Sequence, residues 1–383
     1  MIINRELHEE NELRTLAPYA LKAKFSRGRS YEEPPDTYRT AFQRDRDRVL
    51  HTTAFRRLEY KTQVFVNYEG DYYRTRLTHT LEVAQIGRSI ARALGANEVL
   101  VETICMAHDL GHSPFGHAGE DILNSLMQDH GGYDHNLQTY RIVTELEERY
   151  PGWPGLNLTH ETLEGIVKHE SKYDRASSLD FDPNTRGSLE AQIANIADEL
   201  AYNAHDLDDG LRAGLLTLDQ VEVLDIWQHL REKVGWKGHE FDEIIRHRVI
   251  RGLIGLEVDD VVLATDRGLR KSNVNSVEGV QTLPHNIIAQ GTEMEQMNMQ
   301  LKTFLFDNLY RHFRVVRMSK KAHRFISQLF ESYTSEPAQL PFEIQKKIAQ
   351  RGLHRTVADY IAGMTDRFAL QEWERLFDPF TRP

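Results

Sequence analysis

Fourteen consecutive residues, His108 to Asp121, read HDLGHSPFGHAGED. Three histidines and three acids flank Gly111, Ser113-Pro114 and Gly116. Charged groups enter a core only with partners, so this composition has no place in a plain helix or strand. It suits a turn between helices that holds a metal, with a catalytic histidine beside it. The rest of the chain has to fold around that turn.

The totals narrow the setting. Hydrophobic residues make up 40% of the 383, enough for a substantial core. A net charge of -11 excludes a nucleic-acid coat or a polybasic membrane binder. Cys105 is the single cysteine, which excludes an internal disulfide and a cysteine-rich zinc site. The opening MIINRELHEENEL is polar and acidic, unlike a secretion signal, and no apolar run is long enough to span a bilayer. The expectation is a cytoplasmic globular protein.

The pattern is helical nearly throughout, and the spacing predicts an all-α fold. Residues 3–20 and 42–60 read as helices, and a short β-hairpin is expected from Val64-Phe65-Val66 to Tyr72-Tyr73. His79, Val83, Ile86 and Ile90 then share one helix face. Asn97, Asp134 and Ser188 stand where N-caps are wanted, and Thr217 with Gln220 forms a capping box. Further helices are read over 218–233, 240–264, 293–313, 315–333 and 354–377, with 267–285 as a loop. Three regions are expected: an N-terminal helical segment contributing to the substrate site (1–62), a catalytic region (63–215) and C-terminal helices packed on it (216–383).

His108-Asp109 offers one metal two ligands. His79, on an otherwise apolar helix face, and Asp198, the first acid of a mostly apolar stretch, are the best candidates for the others. Two imidazoles and two carboxylates suit Mg, Mn, Fe, Co or Ni rather than structural zinc. Open positions on such an ion suit water and a phosphoryl oxygen. His117 and Glu120 lie three apart on one helix face. Tyr202, His205, Asp206 and Asp209 continue the polar stripe of Asp198, which ordinarily would face water. The arginines of 22–48 are either a solvated surface or a phosphate-binding one.

These residues belong to an ordered set of blocks: RDRDRVLHTTAFRRLEYKTQVF (44–65), YRTRLTHTLEVAQI (73–86), HDLGHSPFGHAGE (108–120), YDHNLQT (133–139), SLEAQIANIADELAYNAHDLDDG (188–210) and DYIAGMTDRFA (359–369). The set resembles the deoxyguanosine triphosphate triphosphohydrolase family of HD-domain phosphohydrolases. The resemblance implies cleavage of a dNTP to a deoxynucleoside and inorganic triphosphate, by water attack at the α-phosphorus. It implies one divalent ion per chain on His79, His108, Asp109 and Asp198. It implies His117 and Glu120 as a catalytic pair and His135 as a second catalytic histidine, taken here as the acid for the 5′-oxygen. Gln63 and Val64 match a wall at the sugar edge, Arg76 an α-phosphate contact, and His112 a second phosphate contact. Tyr202 would stack on the sugar and Asp206 accept its 3′-hydroxyl. Arg56, Arg57 and Lys61 are read as phosphate or effector contacts. His160 and His169 are read as structural or as supporting the ligands, because the resemblance favours one metal. Family members are often homo-oligomers activated by a dNTP, and Lys320-Lys321 with Arg324 could serve such an effector. Two alternatives stand beside this reading: another HD phosphohydrolase (nucleotidase or phosphodiesterase), and a nucleotide sensor or single-stranded nucleic-acid binder using the basic 22–48 region. No P-loop lysine motif supports a kinase or ATPase.

Overall fold

A computed structural model describes residues 2–63, 74–169, 181–238 and 240–382. Among them the chain forms α1 (Arg5–Thr15), α2 (Ala41–Leu50), α3 (Thr53–Arg57), α4 (Arg76–Leu94), α5 (Glu98–Ala107) and α6 (Gly116–Leu126). There follow α7 (His135–Arg141), α8 (His160–Val167), α9 (Leu189–Arg212), α10 (Leu218–Val221), α11 (Asp225–Val234) and α12 (Glu243–Ser272). The last six are α13 (Val277–Gln281), α14 (Thr292–Leu305), α15 (Phe313–Ser335), α16 (Phe342–Arg351), α17 (Leu353–Ala362) and α18 (Asp366–Phe377). The fold is all-α. No strand occurs among the described residues, where extended pairing is confined to isolated bridges such as Thr62 with Thr75. The expected hairpin falls on 64–73, outside the described residues, as does Val64. No described helix is long and apolar enough to cross a membrane.

Local chemistry explains most helix ends. Asp134 Oδ1 accepts from Leu137 N at 2.9 Å, Ser188 Oγ from Ala191 N at 3.2 Å and Asn97 Oδ1 from Leu100 N at 3.2 Å. The Thr217–Gln220 capping box forms. Interior breaks depart from the periodicity. The helix expected over 42–60 stops at Leu50, because Thr52 Oγ1 turns to cap Phe55 N at 3.0 Å. The one expected over 354–377 divides at 363–365, where Thr365 caps α18. In the other direction, α12 runs on to Ser272, into the segment read as a loop.

The chain forms two compact units, each discontinuous in sequence. The first comprises 1–48, 79–106 and 157–312, and the second 49–78, 107–156 and 313–383.

In the first unit α9 is central, packed by α8, α12, α13 and α14. It is buried almost all round: on its polar stripe His205, Asp206 and Asp209 are buried and Asp198 and Tyr202 half-buried, and Asp208 beside them is also buried. Each such group needs a partner, and Asp208 finds Arg246 of α12. Glu257 of α12 is fully buried facing Asn298 and Asn203, and burial pushes its carboxyl up to about 8. In the unfolded chain that proton leaves near 4.5. Stability from this group is therefore full below that pH and is lost as pH climbs to about 8, at ~1.4 kcal/mol per pH unit. Glu257→Gln has no proton to lose. Its Tm advantage over the native chain should widen from pH 5 to pH 8 in thermal melts, and a gap constant with pH would refute this account.

Most arginines of the 22–48 region pair with local acids. Glu33 pairs with Arg29, Arg44 and Arg48; Asp45 pairs with Arg29; Asp36 and Asp47 pair with Arg39. They border a cavity of about 500 Å³ lined by both signs of charge. These pairs form a cross-linked ionic network, while Lys24 and Arg27 of the same segment stand exposed.

In the second unit α15 lies across α6, α17 and α18. Leu123, Met127, Ile326, Leu329, Val357 and Ile361 are fully buried in its core. Each such side chain contributes about 1.5–3 kcal/mol. Lys320, Lys321 and Arg324 lie on the exposed face of α15, away from Ala322, Ile326 and Leu329.

Candidate functional site

Each unit carries part of the expected set. In the first, α4 and α9 bring His79 Nε2 to 2.9 Å from Asp198 Oδ1. His79 Nδ1 meets His205 Nδ1 at 3.1 Å, and His205 Nε2 meets Glu82. His169 Nε2 is 3.6 Å from Asp198 Oδ2, beside the candidate ligand. His160 instead contacts Arg27 at 2.7 Å and the Phe181 ring, a structural place. One and two turns beyond Asp198 stand Tyr202 and Asp206. Asp206 accepts from the Tyr310 hydroxyl, whose ring lies 6.3 Å from that of Tyr202. Tyr310 closes a π turn, Phe306–Tyr310, that follows α14. No sequence signal marked it.

In the second unit the turn after α5 carries His108 and Asp109, both buried. Asp109 meets Arg76 at 3.0 Å, His112 at 3.2 Å and His108 at 3.3 Å. Burial alone would raise its carboxyl, but the His108 and Arg76 charges, with the hydrogen bond from His112, outweigh it and hold Asp109 well below the usual carboxylate range. Burial, then the Arg76 charge, push His112 well below the usual imidazole value, so it is neutral at pH 7. Arg76 is 2% exposed, and its Nε and Nη2 have no hydrogen-bond partner among the described residues. Gln63 is also buried, with Oε1 likewise unmet. A Cβ on Gly116 (φ +59°) would stand 3.3 Å from Arg76 Nη2, so glycine leaves space beside that nitrogen.

Glu120 organises the remaining histidines. Its Oε1 accepts from His135 N at 2.8 Å and lies 2.7 Å from His135 Nδ1. Its Oε2 is 3.5 Å from His117 Nδ1 and 3.8 Å from His112 Nδ1. The closer pairing is thus with His135, not with His117 one helical turn away. Burial lowers His135, but the Glu120 charge and hydrogen bond outweigh it, and the imidazole is held above its usual value. Its ring stacks on that of His112, with centroids 3.9 Å apart. The His117 side chain is 58% exposed, open to solvent. Ligand atoms of His112, His117 and Glu120 lie within 4.8 Å of one another, as do those of Glu120, Asp134 and His135. A protonated His135 paired to a carboxylate is a proton donor rather than a ligand, which favours acid–base use of this group.

Residues with no assigned chemistry hold the turn. Tyr133 Oη donates to Gly111 O at 2.6 Å, and Thr139 Oγ1 both donates to His108 O at 3.0 Å and accepts from Gly111 N at 2.8 Å. Phe115 adopts a left-handed conformation (φ 65°), and its N–H donates to Asp366 Oδ1 at 2.9 Å. Asp366 also accepts from Thr62 N at 2.9 Å, fixing the approach to Gln63. Lys61 is buried and donates to the carbonyls of His112 and Ala362, so it braces the turn. Arg57 likewise donates to Gly363 O at 2.7 Å.

The chain is 53% identical over 370 residues to a deoxyguanosinetriphosphate triphosphohydrolase-like protein of Geobacter sulfurreducens, covering 96% of both chains. It is 52% identical to one of Nitrosomonas europaea, over 94% of this chain and 98% of that one. It belongs to the deoxyguanosinetriphosphate triphosphohydrolase-like family. The HD domain profile matches residues 76–203, and a phosphohydrolase-associated domain matches 288–375. This triphosphohydrolase-like chain is therefore an HD-domain phosphohydrolase, a class that binds divalent metal, and its histidine–acid groups are of the kind that hold one. The HD match contains every expected metal and catalytic residue; Gln63, Val64, His205 and Asp206 lie outside it. Tyr310 and Asp366 fall in the associated domain.

Proposed function

We propose that the protein hydrolyses deoxynucleoside triphosphates, dGTP or several dNTPs, to deoxynucleoside and inorganic triphosphate. The observation that carries this reading is Arg76. Its guanidinium is buried, one nitrogen is spent on Asp109, and the other two have no partner among the described residues. A buried cation with free donors suits a phosphate oxygen.

His79, His108, Asp109 and Asp198 would hold one divalent ion, Mg, Mn, Ni, Co or Fe. The donor chemistry fits, since a buried carboxylate kept ionised and an imidazole set against a carboxylate are both ready for a cation. The ion, when bound, supplies Lewis-acid polarisation of the α-phosphoryl group and of water. Around it, Arg76 and His112 orient phosphate oxygens. His117, oriented by Glu120, takes a proton from the attacking water. His135, kept protonated by Glu120, gives one to the departing 5′-oxygen. Tyr202 and Asp206 receive the sugar, and Gln63 and Val64 form the wall at its 2′ edge. In this scheme 1–62 contributes to the substrate site, 63–215 carries the chemistry and 216–383 supports it. A dNTP substrate places the enzyme in the cytoplasm. Homo-oligomerisation and activation by a second dNTP complete the proposal.

The test incubates the protein with each dNTP, singly and in pairs, with Mg or Mn in ¹⁸O-labelled water. Attack at the α-phosphorus puts the label in released triphosphate, and paired nucleotides should exceed single ones if an activator is needed. Asp198→Ala should lower turnover by more than about 10³-fold, the scale of lost metal chemistry. Release of orthophosphate or pyrophosphate would instead assign a different HD phosphohydrolase.

A further inference from the structure

His205 sits in the polar stripe of α9, next to Asp206, and no role has yet been assigned to it. It is 1% exposed. Its two ring nitrogens face different partners: Nδ1 lies 3.1 Å from His79 Nδ1, and Nε2 meets the Glu82 carboxylate. Glu82 follows His79 by three residues on α4, so both stand on one helix face. The Glu82 side chain is 44% exposed and would be well solvated without His205.

The order of these contacts fixes where protons stand. An ionised carboxylate only accepts, so its contact with Nε2 favours the His205 proton on that nitrogen. Neutral His205 then has a lone pair on Nδ1. The 3.1 Å contact needs one donor and one acceptor, so His79 donates from Nδ1. With Nδ1 occupied, an ion can reach His79 only at Nε2, where it would take the place of the proton shared with Asp198 Oδ1, 2.9 Å away. An imidazole binds metal through an unprotonated nitrogen, and the group on its other nitrogen selects which one that is.

We propose that Glu82 and His205 are positioning residues that fix the tautomer and aim of His79 as a metal ligand. The inference rests on the reading of His79 and Asp198 as ligands of a divalent ion. It gives a histidine and an acid outside the ligand set a defined task, and predicts that metal affinity depends on both.

The experiment measures Mn²⁺ dissociation constants by competition titration, with circular dichroism and Tm recorded for every variant. His205→Ala and Glu82→Ala should each weaken Mn²⁺ binding, by about 10–100-fold for the histidine. His205→Asn, whose carbonyl oxygen stands near the lost Nδ1, should recover much of the loss. His205→Phe, which fills the volume without an acceptor, should bind as weakly as His205→Ala. Tight binding by folded His205→Phe, with no recovery in His205→Asn, would show a packing role and overturn the relay. In ¹⁵N NMR of the Mg²⁺-loaded protein the His79 proton should sit on Nδ1, and finding it on Nε2 would also overturn the relay. A native chain that binds Mn²⁺ no better than His79→Ala would overturn the ligand reading itself, a failure distinct from loss of the relay.

Discussion

Glu120→Gln should lower kcat by about 10²–10⁴-fold at pH 8, the range expected when general acid–base catalysis is lost. The variant keeps the shape and the acceptor oxygen but removes the charge that outweighs burial at His135. Without it, burial wins and the imidazole titrates lower. A general acid must be protonated to act, so activity falls as pH rises through its pKa. The alkaline limb of the kcat profile should therefore move to lower pH, with a smaller deficit near pH 5 than at pH 8. A uniform deficit with an unmoved limb would show that Glu120 acts only through geometry.

Gly111→Ala should be nearly as damaging, through sterics alone. A Cβ at Gly111 would stand 2.1 Å from His135 O and 2.4 Å from Thr139 N. Both are backbone atoms, so no rotamer change gives relief. The start of α7 must move away from the turn that carries His108 and Asp109, and His135 moves with it. A displacement of about 1 Å of a catalytic group costs ~10²-fold in rate, and overpacking costs about 1–3 kcal/mol. The expected result is a kcat loss of at least ~10²-fold with a lowered Tm. Gly152→Ala is the control, since a Cβ there meets nothing within 4 Å. Near-native kcat and Tm for Gly111→Ala would mean the turn and α7 are not held as described.

The helical class and the helix starts were legible because they are local. A cap needs one side chain and an N–H two or three residues on, so Asn97, Asp134, Ser188 and Thr217 act where the sequence placed them. The breaks near Thr52 and at 363–365 were not, since apolar spacing continues across both. The chemical residue types were also legible: the HD pair, the Glu120 neighbourhood and the stripe from Asp198 stand in contiguous blocks. Asp366 lay inside such a block, DYIAGMTDRFA, but nothing local connects it to Thr62 and Phe115, roughly 250 to 300 positions earlier.

What the sequence determined by itself, then, is an all-α chain with a histidine–acid inventory suited to a metal and a phosphate ester. The tertiary structure decided which partners those groups meet. It gave Glu120 to His135 more closely than to His117, gave Lys61 the carbonyls of His112 and Ala362, and buried His205 of α9 against His79 and Glu82. The reason is physical. Residue identity sets what a side chain is able to donate or accept, but protonation and aim depend on burial and on neighbours brought from distant parts of the chain.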